Sequence, residues 1–157
     1  MTAESPAAAA VPEGGGALAA SLEVDVRTDP ARVAAFRAVA SGCAGAGQDP
    51  AAGGPAVPLT YPFCWITLPE VRPVLERMIG SGGVVPVHEA QSFDYAAPLA
   101  LDAAYRVAFA FERRSGPDRL IVKAAVSTPG GAVCARFETV LRLVVLAPSP
   151  PAGASVP

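Results

Sequence analysis

His88 is the only histidine in the chain, so it is the only side chain whose ordinary pKa lies near neutrality. A Ser-His-Asp or Cys-His system would have to use it as its base. It stands in Val85-Pro-Val-His-Glu-Ala-Gln91, a run with strand character, and no Gly-x-Ser-x-Gly elbow presents a serine to it. The plain reading is a hydrogen-bonded strand histidine. Asp49 and Glu89 are the other weak candidates for acid–base work. Asp49 precedes Pro50 in a loop, where aspartate usually forms turns. One histidine and the scattered Cys43, Cys64 and Cys134 make no ligand set with metal spacing, so no metal is expected. The glycine clusters Gly14–Gly16, Gly82-Gly83 and Gly130-Gly131 lack the context of a phosphate or dinucleotide loop, and no cofactor is called for. Arg113, Arg114 and Arg119 flank a Ser-Gly-Pro-Asp turn. They read as a solvated hairpin tip, with contact to a ligand phosphate as the alternative. Tyr61, Phe63 and Trp65 read as core or dimer contacts.

These residues need a scaffold, and the periodicities supply one. Leu22, Val24 and Val26 alternate with charged residues, as in a half-buried strand. Asp29-Pro30 gives an N-cap followed by proline at the first helical position. Val33, Phe36 and Val39 or Ala40 predict the buried stripe of that helix, which ends at Ser41-Gly42. Residues 57–67 hold two prolines and are expected to be irregular. Val71, Val74, Leu75 and Met78 predict a second, amphipathic helix starting near Pro69, stopped by Gly80-Ser-Gly-Gly83. Four strands follow, from Val84 to Tyr95, around Tyr105–Phe111, from Leu120 to Ser127 and from Val133 to Val145, the last with Val133, Ala135, Phe137, Thr139, Leu141, Leu143 and Val145 on one face. Thr128-Pro-Gly-Gly131 makes the last turn. The order predicts an α+β domain, a five-stranded mainly antiparallel sheet wrapped around a central helix. Its open edges favour a dimer.

Composition narrows the function. The chain has 157 residues and a net charge of −2, enough for one domain and with no basic stripe for nucleic acid. Alanine accounts for 33 of the residues. Residues 1–20 and 147–157, rich in Ala, Gly and Pro, read as disordered tails around a folded unit at 21–146. Residues 43–58 read as a long loop. No apolar run reaches the length of a membrane span, and the alanine-rich start lacks the features of a secretory signal. Three unpaired cysteines fit the cytoplasm.

The segment His88-Glu-Ala-Gln-Ser-Phe-Asp-Tyr-Ala-Ala-Pro-Leu99 resembles the His-Gly-Glu-Gln-x-Phe-x-Tyr-x-x-Pro-Leu signature of MaoC-like dehydratase N-terminal domains. These are hot-dog proteins related to (R)-specific enoyl-CoA hydratases and 3-hydroxyacyl-ACP dehydratases. Pro58-Leu-Thr-Tyr-Pro62 is similar to the family's Pro-Pro-Thr-(Phe/Tyr)-Pro. Glu89-Ala90 and Leu101-Asp102 depart from the family's Gly-Glu and Gly-Asp. The resemblance implies a hot-dog fold, with the second helix as the sausage, and acyl thioesters of CoA or acyl carrier protein as substrates. Catalytic members carry Asp-x-Asn-Pro-x-His after the first helix. Here that loop reads Gly47-Gln-Asp-Pro-Ala-Ala52, without the histidine. The resemblance therefore implies a non-catalytic half of a hydratase or dehydratase, with no catalytic residue of its own. Tyr61, Trp65, Gln91, Phe93 and Tyr95 are then candidates for the acyl tunnel or the interface with another hot-dog chain. The alternatives are a stand-alone diverged hydratase or thioesterase using Asp49, His88 or Glu89, and an acyl-thioester binding or scaffold protein without chemistry. Pro69 and Pro73 also remove backbone donors near the start of the central helix, where hot-dog enzymes polarise the thioester carbonyl.

Overall fold

A computed structural model describes residues 18–41 and 56–146. Asp49, Cys43, most of the low-complexity connection and most of both expected tails lie outside the described residues. Five antiparallel strands form one sheet in the order β1-β3-β4-β5-β2. They are β1 (Leu18–Arg27), β2 (Val84–Tyr95), β3 (Ala104–Arg114), β4 (Arg119–Ser127) and β5 (Val133–Val145). Helix α1 (Pro30–Ser41) follows β1, and helix α2 (Arg72–Ile79) precedes β2.

Alternation of side chains dictates the inner face. Val107, Phe109 and Phe111 of β3 and Leu120, Val122 and Val126 of β4 are all but fully buried. α2 lays Met78 into this cluster and the residue before the helix, Val71, joins it, both fully buried. Its C-terminal end is held by Arg113, whose guanidinium donates to the Met78 and Ile79 carbonyls at 3.2 and 3.0 Å. The same guanidinium makes a two-point pair with Asp118. Cations favour a helix C-terminus because its carbonyls lack partners.

Three expectations change. Val39 is 81% exposed, so the buried stripe of α1 reduces to Val33 and a half-buried Phe36. Residues 61–67 are not irregular but form a 3-10 helix, Tyr61–Thr67. Pro62 fits its first turn, where no amide hydrogen bond is lost. Val133 and Val145 leave the inward face of β5, being 37% and 69% exposed. A register irregularity beside Val126 puts Cys134 inside in place of Val133. Val145 lies beyond the start of β4.

Candidate functional site

The signature residues come together through a bulge. His88 pairs with Leu141, Ala90 with Val140 and Gln91 with Thr139, leaving Glu89 as an extra residue. Strict alternation would send His88 and Gln91 to opposite faces. The bulge puts both on the face of the buried Leu141 and Thr139, together with Phe93 and Tyr95, which pair with the buried Phe137 and Ala135. His88 stacks on Phe63 of the 3-10 helix, with ring centres 5.4 Å apart. Phe93 packs on Phe137 at 5.9 Å. The Tyr95 hydroxyl donates to the Leu59 carbonyl at 2.6 Å, and burial pushes its pKa up to about 12. Thus Tyr95 pins the approach to the 3-10 helix and stays protonated. Gln91 Nε2 and Thr139 Oγ1, on paired residues, are buried without hydrogen-bond partners among the described residues.

Glu89 points the other way. Its carboxylate makes a two-point pair with Arg119, both distances 2.6 Å. That guanidinium, chiefly by hydrogen bonding, holds the Glu89 pKa below the usual range. His88 and Glu89 are adjacent in sequence and on opposite faces of the sheet. The other arginines of the hairpin tip are engaged as well, Arg113 with Asp118 and Arg114 with Glu112. The solvated-tip reading fits these pairs, and the phosphate alternative finds no uncommitted guanidinium there.

Tyr61 and Trp65 occupy a second place. They lie on the side of the 3-10 helix that faces α1, in an edge-to-face row with Phe36. A groove of about 840 Å³ runs between β1, α1 and the 3-10 helix. Val24, Val26, Phe36, Trp65 and Leu68 line it, together with the charged Asp25, Arg27, Asp29, Arg32 and Glu70. The five tunnel or interface candidates therefore form two groups, with the 3-10 helix between them. Sequence reasoning missed Phe36 and Leu59 as parts of this arrangement. Neither had a chemical signal, and both enter by packing.

The start of α2 matters for thioester chemistry. The Val71 and Arg72 amides both donate to the Leu68 carbonyl, and the Val74 and Leu75 amides to the Val71 carbonyl. Residue 73 is proline. Every backbone position from 71 to 75 is thus committed or lacks a hydrogen. Among the described residues, no three His, Cys, Asp or Glu side chains stand together as a metal would require. No helix among them is long and apolar enough to cross a membrane.

No family model and no curated protein matches this sequence. Solved structures do match. The truncated HadBC complex, a (3R)-hydroxyacyl-ACP dehydratase from Mycobacterium tuberculosis, is similar with a TM-score of 0.54 at 16% identity, over 80% of this chain and 96% of that one. A hot-dog-like protein from Thermanaerovibrio acidaminovorans gives 0.53 at 14% identity, over 83% and 84%. The fold is a hot-dog fold. HtdX of Mycobacterium tuberculosis is similar with a TM-score of 0.52 at 22% identity, over 78% of this chain, which spans only 50% of HtdX. In hot-dog terms α2 is the sausage. The 3-10 helix carries the aromatic residues to either side of its approach.

Proposed function

We propose that this chain is a MaoC-like, non-catalytic hot-dog subunit of a hydratase or dehydratase. It binds an acyl thioester of CoA or acyl carrier protein, while a partner hot-dog chain supplies the acid and base. The observation that carries the reading is the start of α2. With residues 71–75 committed or proline, none of these five positions offers a backbone donor to a thioester oxyanion. The opposed directions of His88 and Glu89 support it, because a general acid and base must reach one substrate from the same side.

The β1–α1–3-10 groove is the proposed acyl seat, since apolar side chains from all three elements line part of it. The partner's seat is proposed at the free edge of β2 and the end of β5. There Val84 and Val85 pair with Val145 and Val144 beyond the start of β4. Val85, Val87, Val144, Val145 and Leu146 are exposed around this overhang, and an apolar cluster of that kind marks an interaction surface. The folded unit is proposed as the expected 21–146 extended by the three residues with which β1 begins, Leu18 to Ala20, flanked by low-complexity segments, in the cytoplasm.

Trp65 is the only tryptophan, so its fluorescence reports on the groove. Titration with decanoyl-CoA is expected to change its emission saturably. Trp65→Phe should remove the signal, while isothermal calorimetry still detects binding. Absence of binding by both methods overturns the proposed acyl seat.

A further inference from the structure

We infer that a second copy of this chain pairs antiparallel with the free edge of β2 along Gln91–Tyr95, about a two-fold axis at Phe93. The inference takes the β2 edge from the partner seat proposed above, and none of its chemistry.

Two bonds fix the direction of the main-chain groups. The Leu146 amide donates to the Gly83 carbonyl at 3.0 Å, and the Ala96 amide donates to the Cys134 carbonyl at 2.8 Å. Gly83 and Ala96 flank β2, so both ends of the strand are set against β5. In an antiparallel ladder every second residue faces the same neighbour. With Glu89 as the extra residue of the bulge, alternation leaves Val84, Pro86, His88, Gln91, Phe93 and Tyr95 with their main-chain groups aimed away from β5. No described strand lies on that side.

The two halves of this edge differ. Pro86 turns its donorless nitrogen outward, the position in which an edge strand tolerates proline. The Glu89 bulge then breaks the ladder. Both devices discourage strand addition. The exposed valines beyond Pro86 offer side-chain contact but no continuous ladder. From Gln91 to Tyr95 the edge has neither device. Gln91, Phe93 and Tyr95 are half-buried on the inner face. Phe93 lies 6.5 Å from Tyr95 and 5.9 Å from Phe137, so an added strand extends an existing aromatic row.

Charge and strand length choose the register. Centring on Asp94 sets that carboxylate directly against its own copy, with Cα atoms about 4.5 Å apart, and like charges so placed destabilise a pair. Centring on Ser92 or earlier draws the Glu89 bulge into the pairing. Centring on Tyr95 runs past the end of β2. Centring on Phe93 avoids all three. Phe93 then faces its own copy, and Gln91 faces Tyr95 of the copy. On the outer face the exposed Ser92 faces the exposed Asp94 of the copy. Each hydrogen-bonded pair makes two main-chain bonds, about six in all, and the two Phe93 rings add an aromatic cross-strand pair.

The test joins sedimentation of the parent chain with oxidative cross-linking of cysteine variants. The variants carry Cys43→Ser, Cys64→Ser and Cys134→Ala to remove the native thiols. Ser92→Cys and Asp94→Cys together bring a thiol position of each copy within about 4.5 Å of one on the other, Cα to Cα, which a disulfide can span. Either substitution alone leaves the new positions more than about 7 Å apart, beyond that span. The parent chain is expected to sediment as a dimer at micromolar concentration. The double variant should form a disulfide-linked dimer, with both single variants at background. A monomeric parent overturns the pairing, and that result needs no variant to fold. A double variant with the parent's ellipticity that fails to cross-link overturns the register. So do single variants that cross-link as well as the double. No thioester is added, so these outcomes are separate from those of the acyl reading.

Discussion

Thr139 and Gln91 lie across from each other in the β2–β5 pairing, with buried polar atoms that have no hydrogen-bond partner among the described residues. A buried, unsatisfied group costs about 1–3 kcal/mol, and replacement by an apolar group of the same shape can stabilise. Thr139→Val is therefore expected to raise stability by about 1 kcal/mol, seen as a higher urea midpoint at unchanged slope. Tyr95 gives a pH signature. Its folded pKa, about 12, lies above the ordinary value of 10.0, so its contribution is complete below pH 10 and is lost as pH rises toward 12. Stability measured between those limits should fall more steeply in the parent chain than in Tyr95→Phe. The phenylalanine variant should also be weaker at neutral pH by roughly 1 kcal/mol, for the lost bond to the Leu59 carbonyl. Asp25, Asp102, Glu112 and Glu89 have the opposite sign, each lowered chiefly by hydrogen bonds from an arginine. Their stabilisation is present above the ordinary carboxylate range and lost on acidification. It is small because these pairs are solvated and screened.

At the scale of elements, the central helix depends on groups outside itself. α2 has no side-chain N-cap, and its C-terminal carbonyls are served by Arg113 from β3. Arg113→Lys keeps the charge but loses the fork that binds two carbonyls and Asp118 together. A loss of about 1–2 kcal/mol in thermal or urea unfolding is expected. Thr28→Val should cost more, about 1–3 kcal/mol, by leaving the Ala103 amide and the Ala100 carbonyl without their hydroxyl partner.

The sequence showed much of this level. Asp29-Pro30 marked the start of α1, and the alternation in residues 105–111 and 120–127 marked β3 and β4, because caps and period-two patterns are local. The bulge at Glu89 was not readable, since it is fixed by pairing with β5 rather than by any residue of β2. That one residue decides which signature side chains face inward. Val39 misled for a related reason. Helical spacing says which residues share a face, while the exposure of that face depends on what packs there.

For the whole molecule, the sheet curls over one short helix and leaves β1 and β2 as edges, with exposed valines at the β2–β5 end. The α+β order, a sheet around one helix, was legible because strand and helix periods are strong in residues 71–145, and the hot-dog expectation came from the resemblance of residues 88–99. The grouping of the site was not. Tyr61 and Trp65 sit in the α1 groove, whereas Gln91, Phe93 and Tyr95 sit under β2. Only the 3-10 helix, hidden in sequence by its prolines, sorts them. Double substitution of Val85 and Val145 by aspartate is expected to raise solubility and abolish association with a partner chain while leaving the unfolding free energy of the isolated chain within about 1 kcal/mol of the parent's. Sedimentation and urea titration would show this.

The central claim is that this chain handles the thioester without performing the chemistry. The most direct measurement is hydration of crotonyl-CoA by the purified chain alone, followed through loss of the conjugated thioester absorbance. The account predicts a rate no faster than the uncatalysed reaction at saturating crotonyl-CoA. A rate enhancement that scales with protein concentration and disappears in His88→Ala would contradict it.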